Sequence, residues 1–140
     1  MPKIEPPTSV RSARVSAVRQ LNDKSRRTKS GLALVEGKGP VKELLEFSPE
    51  SVQDFFVSQN FLDAHAEEIW LRDAVVVSDQ IFRSMSDTSN PQGVIATAQI
   101  PSQELSELNT PKKVVILSNV RDPGNAGTIL RSADAFDFDA

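Results

Sequence analysis

The stretch from Val114 to Phe136 combines an apolar run, a loop with proline and glycine, and a helix-like segment with polar side chains. Pro123 and the two glycines of DPGNAG permit close approach of the backbone to a ligand, and Asn125 is predicted to cap the helix. Amides from about Gly127 onward would then be free at the positive end of the helix dipole. A turn of this kind suits an anion.

Two common phosphate-binding motifs do not explain this loop. DPGNAGTI lacks the GK[ST] ending that supplies the phosphate-contacting lysine and the metal-binding hydroxyl of NTPases. It also lacks the spacing of the dinucleotide-binding GxGxxG fingerprint. On glycine content alone, an ordinary capped turn between a strand and a helix remains open.

The combined pattern D-P-x-N-x-G-x-x-x-R-S-A-x-A-F is more specific than its glycines. Its members are Asp122, Pro123, Asn125, Gly127, Arg131, Ser132, Ala133, Ala135 and Phe136. This stretch resembles the first catalytic motif of the SpoU (TrmH-like) RNA ribose methyltransferases. The resemblance implies that Asn125 and Arg131 face the active site, and that Arg131 helps to activate a ribose 2′-hydroxyl for attack on the methyl group of S-adenosylmethionine.

The role expected for Arg131 is narrower than that of a general base. A free guanidinium is too strongly protonated to accept a proton readily without help from RNA phosphate or another group. Stabilisation of charge in the transition state is therefore the role that we assign to it. The alternative is a helix-surface ion pair with Asp134 or a loop acid.

The front of the chain extends the resemblance. LNDKSRRTKSGLALVEGKGPVKELLE resembles the start of the substrate-binding domain that precedes many SpoU catalytic domains, and SDTSNPQGVIATAQIP resembles its end. The implied fold class is α/β: a ribosomal-protein-like α/β/α substrate-binding domain, followed by the first β-α unit of a knotted (SPOUT-type) α/β methyltransferase domain. Two departures are Asp137, where a glycine is common, and Lys38-Gly39-Pro40, which replaces a commoner bulky stretch.

The periodicity of the chain predicts the elements that position these residues. Val15, Val18 and Leu21 recur at helical spacing, and DKSRRTKSG reads as an exposed loop. Then follow, in order, the strand GLALVEG, the helix GPVKELLEF, the strand SVQDFFVS, the helix NFLDAHAEEIWL, the strand DAVVVSD, the helix QIFRSMSD capped by Ser78 or Asp79, and the strand GVIATAQI. Alternation of this kind favours helices layered on a buried sheet.

These elements predict three segments. Residues 1–100 are expected to form an RNA substrate-binding domain, and the polar residues 101–112 a linker. Residues 113–140 are expected to be the start of a methyltransferase domain, with VVIL as a strand and TILRSADAF as a helix. A single strand and helix cannot bury both faces of a sheet, so this second domain is predicted to be truncated.

The charge of the chain is strongly asymmetric. Residues 1–42 hold ten Lys or Arg and three acids, a formal charge of +7, whereas the remainder holds six and sixteen, a charge of −10. Four cations, Lys24, Arg26, Arg27 and Lys29, are predicted to contact RNA phosphate. A merely solvated surface is the alternative. Since Phe47 is the first aromatic residue, phosphate and shape contacts are expected here more than base stacking.

Composition excludes several other kinds of site. The chain has no cysteine and a single histidine, which leaves no thiolate or histidine-rich metal centre, and we expect no metal. His65 lies in an amphipathic helical pattern, which is more typical of a packing or surface histidine than of a catalytic one. No apolar run approaches the roughly 20 residues of a membrane span, and the Pro-rich start lacks the apolar core of a signal peptide, so a cytoplasmic protein is expected.

The leading hypothesis is an RNA 2′-O-ribose methyltransferase that uses S-adenosylmethionine, with rRNA the favoured substrate and tRNA the alternative. The resemblance implies a homodimer and a cofactor site built from two later motifs, one Gly-rich and one Ser/Asn-rich, which these 140 residues do not contain. The chain alone is therefore expected to be inactive, with its cofactor-binding residues unknown. A non-enzymatic RNA-binding module of ribosomal-protein-like fold and, less favoured, a nucleotide-binding α/β protein are the alternatives.

Overall fold

The computed structural model describes residues 5–102 and 110–139, which belong to two units that divide between Ile100 and Pro101. The first unit contains α1 (Ala13–Gln20), α2 (Lys24–Ser30), β1 (Leu32–Glu36), α3 (Lys38–Phe47), β2 (Val52–Ser58), α4 (Gln59–Ala64), β3 (Val75–Val77), α5 (Asp79–Met85) and β4 (Val94–Gln99). Short 3-10 helices cover Pro49–Ser51 and Ile69–Leu71. The second unit contains α6 (Pro123–Ala135).

The four strands of the first unit form one mixed sheet in the order β1-β4-β2-β3. β4 pairs antiparallel with both β1 and β2, and β2 pairs parallel with β3. All four strands predicted for this unit are confirmed, and so is the α/β class. The last strand, β4, lies in the middle of the sheet because it inserts between the first two strands.

Helices cover both faces of this sheet, and each strand alternates its side chains between two cores. Phe56 and Ile95 pack with Val15 and Val18 of α1 on one face, where α5 also lies. Phe55 and Val57 and their neighbours pack against α3 and α4 on the other face. That second core also contains Val41, Leu71, Val94 and Ala96. The apolar spacing of α1 is confirmed because Val15, Val18 and Leu21 are all buried.

The helix predicted across NFLDAHAEEIWL is wrong in length. α4 ends at Ala64, and the chain continues through turns into the 3-10 helix at Ile69–Leu71. The side chain of His65 explains the break, since its Nδ1 lies 2.9 Å from the carbonyl oxygen of Phe61 that would continue the helical ladder. The His65 ring also stacks on Phe61, with centroids 4.0 Å apart. His65 therefore has a structural role here, as expected.

The strand predicted for VVIL is also wrong. Residues 114–117 have no strand assignment, and within the described second unit there is no neighbouring strand for them to pair with. Ile116 is 84% exposed, which is unusual for a residue of a buried-type pattern. Most of the predicted linker, residues 103–109, lies outside the described residues.

Gly93 is a position where any side chain is expected to destabilise the first unit. Its φ is +87°, and an added Cβ would lie 2.6 Å from the Cβ of Phe61 and 2.9 Å from the Oγ of Ser58. Replacing Gly93 with alanine is expected to cost about 1–3 kcal/mol of the free energy of unfolding, measured in urea. Gly39 is the matched control, because it lies inside α3 with open space around it, and alanine there should stabilise by about 0.5–1 kcal/mol. Equal effects at both glycines would contradict this interpretation.

Candidate active site and RNA interface

The start of α6 differs from the sequence prediction in its capping residue. The helix begins at Pro123, and Asp122 is the N-cap, whose Oδ1 accepts a hydrogen bond of 2.8 Å from the amide of Asn125. Asn125 is therefore inside the first turn and not the cap. The prediction of free amides from Gly127 onward is also wrong, because Gly127 lies beyond this first turn. The Asp122 carboxylate already occupies the positive end of the helix, so this helix start is less suited to an anion than predicted.

Asn125 nevertheless lines an open groove on the second unit. The groove has a volume of about 550 Å³ and is lined by Asn119, Val120, Arg121, Asp122, Asn125, Thr128 and Ile129. Asn119 has a φ of +55°, which turns the chain just before the helix. The groove thus combines two side-chain amides, a guanidinium, a carboxylate and a hydroxyl, which can together hold a polar ligand such as a ribose.

Arg131 extends back along α6 toward its N-terminus. Its Nη2 donates a hydrogen bond of 3.3 Å to Thr128 Oγ1, and Thr128 is one of the residues that line the groove. A Cβ at Gly127 would lie 3.3 Å from Arg131 Nη1, so glycine at this position leaves room for the guanidinium. Among residues 110–139 no ion pair holds Arg131, and the alternative of a pair with Asp134 is not found. The guanidinium is exposed and able to meet a ligand.

The backbone at the end of α6 explains why a glycine is common at the position that Asp137 occupies. Asp137 follows the C-cap Phe136 with a φ of +54°, a left-handed conformation that glycine adopts without strain. Two backbone amides, those of Lys112 and Lys113, donate to Asp139 Oδ2 at 2.8 and 2.9 Å. These hydrogen bonds, first that from Lys113, lower the pKa of Asp139. They tie the end of the described chain to the segment that precedes VVIL.

The segment predicted as a basic loop is the helix α2. Asp23 caps its start by accepting from the amides of Ser25 and Arg26, and Gly31 ends it with a φ of +68°. The sequence contained both signals, but α2 buries no residue, so the apolar periodicity that reveals a helix is missing. The loop prediction was wrong for this reason.

Because α2 is a helix, the four residues predicted to contact RNA do not all lie on one face. Arg26 and Lys29, three residues apart, lie on one face and line the same cavity. Lys24 is exposed, as are Arg26 and Lys29. Arg27 is part-buried instead: its Nη1 donates to the carbonyl oxygens of Leu21 and Asn22 at 2.7 and 3.0 Å. Three of the cations are thus available to phosphate, and Arg27 chiefly fastens α2 to the end of α1.

The Asp23 cap makes α2 sensitive to acid. Hydrogen bonds from the Ser25 hydroxyl and from the amides of Arg26 and Ser25 hold the pKa of Asp23 below its ordinary value of 3.8. Because the folded pKa is lowered, the cap stabilises α2 above pH 3.8 and is lost as the pH falls through the lowered pKa. An NMR titration should place the Asp23 midpoint below 3.8, and the protection factors of the Ser25 and Arg26 amides, which are corrected for the intrinsic effect of pH on exchange, should fall in more acid solution.

Replacing Asp23 with asparagine is the matched control, since the amide oxygen still accepts the capping bonds but does not titrate. The acid-dependent loss of protection of the α2 amides should disappear in this variant. A midpoint at or above 3.8 in the unsubstituted chain would contradict the prediction.

Within the described ranges, no cluster of three or more His, Cys, Asp or Glu side chains is placed to hold a metal ion. Nor does any helix of residues 5–102 and 110–139 have the length and apolar character that crossing a bilayer requires.

Comparison with known proteins adds a family match and full-length relatives. Residues 12–96 match the family described as MRM3-like substrate binding domain. The 23S rRNA (guanosine(2553)-2′-O)-methyltransferase RlmP of Bacillus subtilis is 32% identical over 132 residues, which are 94% of this chain and 51% of the relative. The human mitochondrial rRNA methyltransferase 3 is 30% identical over 116 residues, 76% of this chain and 27% of the relative.

A solved structure agrees with these sequence matches. The AdoMet-bound rRNA methyltransferase from Sinorhizobium meliloti superposes with a TM-score of 0.68 at 26% identity. The superposition covers 94% of this chain and 51% of that structure. The chain therefore spans about half the length of the bacterial relatives to which it is similar.

Proposed function

The chain belongs to the SpoU (TrmH-like) family of RNA methyltransferases, with an MRM3-like substrate binding domain at residues 12–96, and we propose that it contributes the RNA-binding part and the ribose-side catalytic groups of an rRNA 2′-O-methyltransferase. The Bacillus subtilis and human relatives are named as rRNA methyltransferases, which favours rRNA over tRNA as the substrate. In this proposal the first unit binds RNA and the second begins the catalytic domain.

The position of Arg131 carries the catalytic part of the proposal. Its guanidinium passes over Gly127 and contacts Thr128 beside the groove that Asn125 lines. For its oxygen to accept a methyl group, a 2′-hydroxyl must lose its proton, here to an RNA phosphate or to solvent, and a fixed cation stabilises the partial negative charge that the oxygen carries until the new bond is complete. Arg131 provides this cation, while the Asn125 amide hydrogen-bonds and orients the ribose.

S-adenosylmethionine is the proposed methyl donor, as the AdoMet-bound relative suggests. Residues 110–139 alone do not fit this cofactor, because their groove is open and has no aromatic side chain among its lining residues to cover an adenine. The residues of this unit are therefore assigned to the ribose side only.

The finer architecture is also part of the proposal. We assign residues 1–100 to a ribosomal-protein-like α/β/α domain, residues 101–112 to a linker, and residues 113–140 to the start of a knotted methyltransferase domain that acts as a homodimer. The exposed apolar side chains Val114, Ile116, Leu117, Val120 and Leu130 support this assignment, since a surface of this kind is usually covered by further protein.

The test uses the complete reading frame that contains this chain, purified and incubated with unmodified rRNA and radiolabelled S-adenosylmethionine. We expect label in nucleotides that resist alkaline cleavage, because a methylated 2′-oxygen cannot attack the neighbouring phosphate. Label on a base, or on tRNA in place of rRNA, would contradict the proposal. The 140-residue chain alone should show no transfer in the same assay, and measurable turnover by it would overturn the cofactor assignment above.

A further inference from the structure

A cavity of about 320 Å³ lies in the first unit, between α1, α2 and the sheet. Its size is at the lower end of small-molecule sites, which run from about 300 to 1,000 Å³. The apolar part of its wall comes from Ala17, Val18, Leu21 and Leu32. A cavity with these dimensions and this wall accommodates a single flat ring system better than a helix or a folded peptide.

Two cationic side chains of α2 lie at the solvent-exposed side of this cavity. Arg26 and Lys29 both line it and are both exposed on α2. Because they are like charges on one helix face, an anion placed between them relieves their repulsion. The cavity therefore joins an apolar wall to a place for phosphate, which is the arrangement that a nucleotide requires.

Besides Gln20 and Ser30 on the helix side, two polar residues of the wall are on the central strands β2 and β4. Asp54 and Thr97 both line the cavity. Arg14 Nε donates a hydrogen bond of 2.7 Å to Asp54 Oδ1, and Arg14 Nη2 forms an ion pair with the same oxygen at 2.6 Å. The second oxygen, Oδ2, has only a weak contact of 3.4 Å with the Thr97 hydroxyl. One carboxylate oxygen thus retains capacity to accept a hydrogen bond from a ligand.

We propose that this cavity binds one unstacked nucleobase of the RNA, one that carries an exocyclic amino group, with the amino group donating to Asp54 Oδ2 and the adjoining phosphate between Arg26 and Lys29. Adenine, cytosine and guanine have this donor, and uracil has a carbonyl oxygen at the corresponding position. Single-stranded RNA is commonly recognised through bases that are splayed out of the stack. The inference rests on the proposed function, and it adds base selectivity to a surface from which sequence analysis predicted phosphate contacts.

The test measures the binding of fluorescein-labelled octamers of rA, rC and rU to the 140-residue chain by fluorescence anisotropy at one fixed salt concentration. Octamers of rA and rC should bind about tenfold more tightly than rU, the size of one hydrogen-bonded contact to a base edge. Replacing Ala17 with leucine should fill the cavity and abolish this preference. Ala13→Leu is the matched control, because Ala13 is exposed on the same helix and does not line the cavity.

Thr97→Val is a second variant, and it preserves the shape of the cavity wall. Thr97→Val removes the hydroxyl beside Asp54 Oδ2 and should alter the ratio of rA to rU affinity, with thermal unfolding monitored to verify that the chain is folded. If all octamers bind equally, with an affinity that Ala17→Leu does not change, the cavity proposal is wrong and RNA binding by the cations stands. If no octamer binds, both this inference and the RNA-binding part of the proposed function are overturned.

Discussion

Replacing Arg131 with alanine in the complete enzyme is expected to lower kcat for methyl transfer by about 100- to 1,000-fold, the usual loss when one transition-state charge contact is removed. The loss should appear in kcat more than in KM, since the guanidinium is assigned to charge that is present on the 2′-oxygen only in the transition state. Arg131→Lys should recover part of the rate, because lysine retains the charge but not the planar fork of donors that reaches Thr128. Single-turnover kinetics with a saturating RNA substrate would measure the chemical step.

Asp134→Ala supplies the control for this experiment. Asp134 is exposed on the same helix, and it is the partner that a purely structural Arg131 would have been expected to use. Its replacement should leave both kcat and KM near their original values. If Asp134→Ala reduces the rate as much as Arg131→Ala does, or if Arg131→Ala changes only KM, the assigned role is wrong.

Replacing Lys24, Arg26 and Lys29 together with glutamine is expected to weaken RNA binding and to flatten its salt dependence. Each phosphate contact on single-stranded RNA contributes about 0.7 to the slope of log affinity against log salt, so the slope should fall by about 2. At low salt the affinity should fall by at least about tenfold. Arg27→Gln alone should instead lower the melting temperature, since Arg27 bonds to the carbonyls of Leu21 and Asn22.

A second triple variant with the same change in net charge distinguishes RNA binding by the α2 cations from a general effect of the net charge of the protein. Lys42, Arg72 and Arg83 are exposed cations of the first unit on other elements. Their replacement with glutamine should leave the salt slope within error of the original. Equal losses from the two triple variants would mean that net charge, and not the surface of α2, holds the RNA.

The sequence was sufficient for elements with an apolar pattern and insufficient where capping or side-chain geometry decides the outcome. β2 and β4 alternate or run apolar, and both were predicted within a few residues of their observed bounds. α2 was missed because its helix depends on Asp23 and Gly31 at its ends and has no buried face. The break after Ala64 depends on one contact, from His65 to the Phe61 carbonyl, that no periodicity records.

For the candidate sites too, the sequence was sufficient where a motif fixes the spacing and insufficient where backbone conformation or strand pairing decides the outcome. A motif predicted Asn125 and Arg131 as site residues; Asn125 lines the groove, whereas Arg131 contacts Thr128, which lines it, and is not itself a lining residue. The identity of the cap was wrong because Asp122 and Asn125 are both good capping residues, and only the backbone conformation distinguishes them. Asp54 and Thr97 were missed altogether, since they become neighbours through the pairing of β2 with β4.

The attachment of α2 to α1 through Arg27 affects how the protein binds RNA. A basic loop would have to give up its freedom of movement on contact, and binding would then be coupled to folding. The helix backbone that carries the cations is capped at Asp23 and held by Arg27, so it is already ordered when the RNA binds. Binding should therefore proceed as a rigid encounter with a small change in heat capacity, and the geometry of the phosphates, more than their number, should decide which RNA is retained.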